Sequence, residues 1–408
     1  MNRHVKSLIT AGFFVLAHFS VANACTTAIV SGKFTVDGRP LLLKHRDSDV
    51  LQNKMMFFSD GKYEYIGLVN TPDTAGNEIW AGSNSMGFAI MNSASYNLNL
   101  KDTASIKDQE GIIMKKALQG CATLEDFEEM LRSLPKPAGV EANFGVIDAR
   151  GGAAYYEAGN SSFKKFDAND PSVAPFGYLI RTNYSFTGER AEDYGLIRYR
   201  TADELFYNAS VTNSLSFEFI IKQVSRCLKH SLTKTDLTQN LPVSSETPSY
   251  VSFQDFIPRF SSSASVIVHG VKPGESPSFE TIWTILGFQL CSVAVPMWVS
   301  GGSQIPAILA ADKSGGAPLC RMALKLKEKC FPISRESGRS YLNLVAVINR
   351  ENDGILQKIL PLENDIIKET NQNMQLWREK GMNTGQIREF YKWLERTVTA
   401  SYQKQFGF

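Results

Sequence analysis

Ala22-Asn23-Ala24-Cys25-Thr26-Thr27, followed at short range by Lys44-His45-Arg46-Asp47-Ser48-Asp49, is the stretch that decides how this 408-residue chain reads. Before it, Arg3 and Lys6 form a basic start, Leu8 to Val21 is an apolar run, and Ala22-x-Ala24 is a small-residue cleavage site. That is the pattern of a secretory leader over residues 1–24. Cleavage between Ala24 and Cys25 makes Cys25 the new N-terminus, with a thiol and a free α-amine on one residue. An α-amine ionises near ~7.7–8.0 and a thiol near ~8.5, so proton transfer between two such groups is almost balanced near neutral pH. One cut therefore supplies a nucleophile and a base. Two plainer readings stand beside this one. Cys25 could carry a lipid anchor, although Ala22 stands where lipoprotein leaders usually have Leu and Thr26-Thr27-Ala28-Ile29-Val30 reads as a buried strand. It could also be half of a disulfide.

Removing the leader leaves 384 residues with 41 basic against 41 acidic side chains, because Arg3 and Lys6 go with it. That length fits one large domain or two closely packed ones. A neutral balance points away from nucleic acid and anionic membrane surfaces. No apolar run after the leader approaches the ~20 residues of a membrane span. An extracytoplasmic protein, periplasmic or secreted, is expected. Besides Cys25 there are Cys121, Cys227, Cys291, Cys320 and Cys330, an odd number with no zinc-type CxxC pair. Buried apolar filler is the expected role, with one bridge such as Cys320 to Cys330 allowed. The three remaining histidines, His45, His230 and His269, have no metal-ligand spacing. No metal or organic cofactor is expected.

Thr26–Ser31 and Pro40–His45 read as strands joined through Asp37-Gly38, a hairpin signal that returns Arg46 and Asp49 toward Cys25. A cation there favours thiolate, and Asp49 can accept a hydrogen bond from the α-amine; the plainer alternative is a surface ion pair worth little. Asn84 to Ser93 reads as a turn and a buried strand. Residues 106–118 and 124–134 have helical periodicity, with Thr123 and Asp126 suited to an N-cap. Asn143–Asp148 and Ala153–Glu157 form a second hairpin around Gly151-Gly152, and 177–183 is a further strand ending in Arg181-Thr182-Asn183. Residues 202–207 and 217–229 read as helices, 262–269, 281–286 and 292–299 as strands. The tail from 364 to 405 reads as two helices broken at Gly381-Met382-Asn383, with Trp377, Phe390, Tyr391 and Trp393 suited to core or subunit packing.

Cys25-Thr26-Thr27, Asp37-Gly38, Arg46-x-x-Asp49, Gly87 to Asn92, Asn143 to Glu157 and Thr182-Asn183, in this order behind a processable Cys, resemble the N-terminal-nucleophile hydrolases. The similar group is that of choloylglycine hydrolase, penicillin V acylase and isopenicillin N acyltransferase, with the acyltransferase-like branch the nearest in flavour. The Cys-Thr-Thr opening also resembles secreted dipeptidases of the same superfamily. The resemblance implies an α+β fold, a four-layer αββα sandwich over 25–360 with a helical segment, 361–408, packed on it. It implies attack of Cys25 on a linear amide carbonyl, polarisation by Arg46 and Asp49, and an oxyanion hole from the Asn183 side chain and the Asn92 backbone N–H. Arg259, ahead of a Ser-Val strand, completes the implied set. The expected partner is a small acyl amide, hydrolysed through a thioester or passed to an amine; a homo-oligomer is left open. A lipid-anchored binding protein without chemistry at Cys25 is the alternative from another class.

Overall fold

Strand β1 (Thr26–Val30) runs antiparallel to β2 (Leu41–Asp47), as the Asp37-Gly38 turn predicts, with Thr26 opposite His45 and Thr27 opposite Lys44. The computed structural model describes residues 24–100, 102–189, 194–243 and 247–408; of the expected leader all but Ala24 lies outside them. β1 and β2 are central strands of a six-stranded sheet. β10 (Tyr178–Arg181) flanks β1, and β14 (Ser262–His269), β15 (Thr281–Leu286) and β16 (Val295–Met297) continue beyond β2. The second sheet has seven strands in sequence order: β3 (Asn53–Phe58), β4 (Tyr65–Asn70), β5 (Ala81–Asn84), β6 (Ala89–Ala94), β7 (Ala142–Ile147), β8 (Ala153–Ala158) and β9 (Phe163–Asp167). Two short ribbons sit outside the sheets, β11 (Lys229–His230) with β12 (Thr235–Asp236) and β13 (Tyr250–Ser252) with β17 (Tyr341–Asn343).

The sheets face each other through β1 and β2 on one side and β6, β7 and β8 on the other. Alternation along β1 turns Thr27 and Ile29 inward. Thr27 Oγ1 receives a hydrogen bond of 2.8 Å from Tyr155 on β8, and Ile29 lies over Gly145 on β7. A Cβ at Gly145 would stand 2.2 Å from the terminal methyl of Met91 and 3.1 Å from Ile29 Cδ1, so the glycine leaves room for these side-chain ends between the layers.

Helices cover both outer faces, giving the expected αββα layering. Over the seven-stranded sheet lie α1 (Glu110–Gly120) and α2 (Leu124–Ser133), which bury Met114, Leu118, Phe127 and Leu131 against Phe88, Phe144 and Tyr156. α2 starts as predicted, with Thr123 and Asp126 in a reciprocal capping box. α1 starts four residues later than its periodicity suggests, because Asp108 takes φ 58° and breaks the helical path. Over the six-stranded sheet lie α3 (Leu196–Val211), the single turn α4 (Phe217–Phe219), α5 (Pro318–Cys330), the short α6 (Leu344–Val347), α7 (Ile355–Lys380) and α8 (Thr384–Phe406). The predicted helix 217–229 is shorter: α4 continues only as a wide turn through Val224, and the chain then enters β11.

The helical tail is integral to the core. Glu363 on α7 forms a fully buried ion pair with Arg226 and accepts the Ala294 N–H at 2.7 Å. Trp298 packs against Trp377, Phe390 and Tyr391 at ring distances of 5.1 to 5.9 Å. α7 begins at Ile355 and carries Pro361 in its interior, so it runs through the expected boundary at 360/361. A Cys320–Cys330 bridge is excluded, since both residues lie on α5 about 15 Å apart along its axis. The sulfurs that do approach are those of Cys291 and Cys330, at 3.4 Å in the core. None of the helices of the described residues is long and apolar enough to cross a membrane.

Glu280, just ahead of β15, is buried between the sheets and accepts a hydrogen bond from Ser83 on β5, while its Oε2 has no partner among the described residues. Burial pushes its carboxyl up to about 8, with Asp148 adding repulsion and the Ser83 bond opposing. An acid whose folded pKa is raised favours the fold most below its unfolded value, and that contribution drains away as pH climbs through the folded one. Glu280→Gln should therefore gain thermal stability relative to wild type as pH goes from 5 to 9. A difference in melting temperature that stays flat across that range would show that Glu280 is ionised in the fold.

Candidate active site around Cys25

β1 presents Cys25 at its N-terminal end, and period-two alternation sorts the residues of β2 around it. Lys44 and Arg46 share the inner face of the six-stranded sheet with Thr27 and the Cys25 side chain. His45 and Asp47 take the outer face, where they bond to β14. Cys25 is 5 % exposed. Ala24, Asn183, Arg198 and Arg259 line a cavity of about 610 Å³ over the Ala24–Cys25 bond, with Tyr96 and Asp49 at its wall.

Asn183 meets the nucleophile at its nitrogen. The Cys25 N–H donates to Asn183 Oδ1 at 2.9 Å, and Asn183 Nδ2 donates to Ala94 O at 3.1 Å. The segment around it is pinned from several sides. Ser185 Oγ donates to Asn143 Oδ1 at 2.6 Å, and Asn143 Nδ2 donates to Ser93 and to Tyr184 O at 3.2 Å each. Beneath it Arg181 and Glu157 form a buried ion pair of 2.7 Å, and Glu157 also accepts the Phe186 and Thr187 N–H groups.

Arg259 reaches the site from the turn before β14. Its Nη2 donates to Ala24 O at 3.2 Å and to Asp47 Oδ2 at 2.6 Å. Asp47 also accepts from Ser262 Oγ, 2.5 Å away. Asp49 stands apart from this network. β2 ends at Asp47, so Asp49 has left the sheet and is exposed on the rim of the cavity, with no hydrogen bond or ion pair among the described residues. The buried carboxylate of this end of the strand is Asp47, and the nitrogen that Asp49 was expected to hold is bound by Asn183.

On the inner face, Arg46 is buried, donates to Asn53 Oδ1 at 2.7 Å and stacks over Trp80 at 5.0 Å. Burial lowers its guanidinium to about 10, opposed chiefly by the charge at Cys25. Asn92 on β6 is brought in through Lys44, whose Nζ donates to Asn92 O at 2.5 Å and to Oδ1 at 2.7 Å.

Two residues missing from the sequence reading stand in the site. One is Lys44, 2 % exposed and brought down to about 8 by burial, with the Cys25 sulfur the strongest opposing influence. The other is Arg198 on α3. Its Nη1 donates to Cys25 O and, at 3.0 Å, to Thr26 Oγ1, and its Nη2 donates to Asn183 Oδ1 at 2.8 Å. Burial and the neighbouring Arg259 pull it down to about 9. Gly195, at φ 83°, lets this guanidinium pass: a Cβ there would lie 2.2 Å from Arg198 Nη2. A lone Gly before a helical Arg is too common a pattern to have marked it. His45, buried and lowered to about 4, bonds Ser262 and Ser265 on the outer face, away from the Cys25 side chain. Among the described residues no cluster of His, Cys, Asp and Glu is placed to hold a metal ion.

No family model matches the chain, and no curated protein matches it. Solved structures do. An N-acylethanolamine-hydrolyzing acid amidase ortholog from Caenorhabditis elegans aligns over 62 % of this chain and 94 % of its own, at 13 % identity and TM-score 0.39. A mutant of the conjugated bile acid hydrolase from Clostridium perfringens aligns over 67 % and 92 %, at 13 % identity and TM-score 0.37. Penicillin V acylase from Agrobacterium tumefaciens aligns over 68 % and 86 %, at 13 % identity and TM-score 0.37. These names include members of the group that the sequence resembles.

Proposed function

We propose that this protein is an exported cysteine hydrolase that cleaves a linear carbon–nitrogen amide through a thioester on Cys25, after removal of the residues up to Ala24. The observation that carries the reading is the convergence on one residue: Asn183 and Arg198 hold the Cys25 backbone, while Lys44 and Arg46 surround its sulfur with buried positive charge. The thiolate attacks the substrate carbonyl, and the carbonyl oxygen gains negative charge. Asn183 Nδ2 and the Asn92 backbone N–H are the donors assigned to that charge. The amine leaves after taking a proton, and water or a second amine resolves the thioester. Arg259 and Asp47 set the wall where Ala24 now lies and where substrate enters after processing.

The test is a panel of acyl amides, including bile-salt conjugates, penicillin V and dipeptides, run on protein whose N-terminus is verified by mass spectrometry. Protein beginning at Cys25 should hydrolyse at least one of them. Protein keeping one residue ahead of Cys25 should lose most of that turnover, because Ala24 walls the cavity and an amide nitrogen cannot accept a proton as a base. Full turnover with the extension intact would overturn the requirement for a free N-terminus.

A further inference from the structure

Lys44 and Arg46 place two cations on the inner face of β2, both buried, and neither is paired with a carboxylate among the described residues. Unpaired buried charge is costly. The strands packed around Lys44 offer no acid: β6, β7 and β14 contain none, and Asp47 of β2 points to the outer face, toward Arg259 and Ser262. Among the described residues the Cys25 sulfur is the strongest negative influence on both Lys44 and Arg46; Asp47 acts on both more weakly from the outer face, and Glu78 acts on Arg46 alone.

We infer that Lys44, rather than the α-amine alone, is the proton partner of Cys25, holding the nucleophile as a thiolate–ammonium pair oriented by Asn92. The inference rests on the proposed function above for its role in turnover but not for its chemistry. Asn92 O and Oδ1 accept two of the three ammonium hydrogens, and the third direction is left for sulfur. In the forward step the thiol proton passes from Sγ to Nζ, giving thiolate and ammonium with no net change of charge. After the thioester forms, the ammonium can return one proton to the departing amine, either directly or through the Cys25 nitrogen that Asn183 positions. Water then supplies the proton and hydroxide that regenerate thiol and acid. A group brought down to about 8 by burial exchanges its proton readily near neutral pH, as such a carrier must. The two bases then divide the work: Lys44 ionises the sulfur, and the α-amine, held at Asn183, serves the leaving group.

Thiolate absorbance near 240 nm, taken as the difference between each protein and its Cys25→Ser counterpart over pH 5–10, reads this directly and needs no substrate. The mature protein and the form extended by one residue should both show the Cys25 thiolate at pH 7, since Lys44 is present in each. Lys44→Met, similar in length and uncharged, should lower that signal roughly tenfold or more, the effect of removing an opposite charge within a few ångströms. Lys44→Arg should keep the thiolate and lose turnover, because a guanidinium holds charge but does not exchange its proton near neutral pH. Thiolate lost on extension and kept in Lys44→Met would overturn the inference in favour of the α-amine. If Lys44→Met fails to fold, the extended form alone decides, as its Cys25 nitrogen is an amide and cannot act as base. A thiolate that behaves as predicted in a protein that hydrolyses none of the amides would retain the ion pair and remove the proposed function instead.

Discussion

Cys25→Ser should fold like the wild type and hydrolyse amides up to roughly 10⁶-fold more slowly, the size of loss seen when a covalent nucleophile is removed. The fold should be indifferent because the change exchanges one sulfur for one oxygen at the end of β1, where the Cys25 backbone is held independently by Asn183 and Arg198. Chemistry should not be indifferent, since a serine hydroxyl is much harder to ionise and Lys44 and Arg46 are placed to meet an anion. The measurement is kcat/KM beside a thermal melt. A serine variant with most of the wild-type rate would remove Cys25 from the chemistry, and a variant that melts far lower would make the comparison one of folding.

Asn183 offers the second large effect, and the structure changes how it has to be tested. The residue is fully buried, and its carboxamide joins β10 to the Cys25 nitrogen, to Arg198 and to Ala94. Asn183→Ala should lower kcat by roughly 10²–10³-fold, as for loss of an oxyanion donor. It should also lose stability, about 1–3 kcal/mol, because buried partners are left unsatisfied. Asn183→Asp separates the two roles. Aspartate keeps an acceptor for the Cys25 nitrogen and for Arg198 but removes the N–H donor. If Asn183 serves the oxyanion, Asn183→Asp should be nearly as slow as Asn183→Ala, with a smaller loss of stability because the Cys25 nitrogen and Arg198 keep their acceptor while Ala94 O loses its donor. If its work is to hold the Cys25 nitrogen, the aspartate variant should retain its rate.

What could be read in the sequence was whatever is local. The hairpin at Asp37-Gly38 fixed the register that sets Arg46 beside Cys25, the capping box at Thr123 fixed the start of α2, and the strand ends at Asn92 and Asn183 were visible as polar residues closing apolar runs. The misreadings come from geometry between distant segments. Nothing in the local sequence marks Lys44 as buried; it is buried only because the second sheet lies over it and Asn92, 48 positions away, accepts its ammonium. Motif spacing points to Asp49, whereas β2 ends at Asp47 and alternation carries that carboxylate to Arg259, 212 positions away. The approach of Cys291 to Cys330 and the role of Arg198 likewise depend on how helices pack on the six-stranded sheet, which no local pattern announces.

The central claim is that catalysis passes through a covalent acyl group on Cys25. Mature protein should be mixed with an activated acyl amide, quenched in acid within the first turnovers, and digested for mass spectrometry. With quench and digestion both kept acidic, so that the protonated α-amine cannot capture the acyl group from sulfur, the N-terminal peptide beginning at Cys25 should carry the mass of the acyl group. Amide turnover with no acyl group on that peptide, or with undiminished rate in Cys25→Ala, would contradict the account.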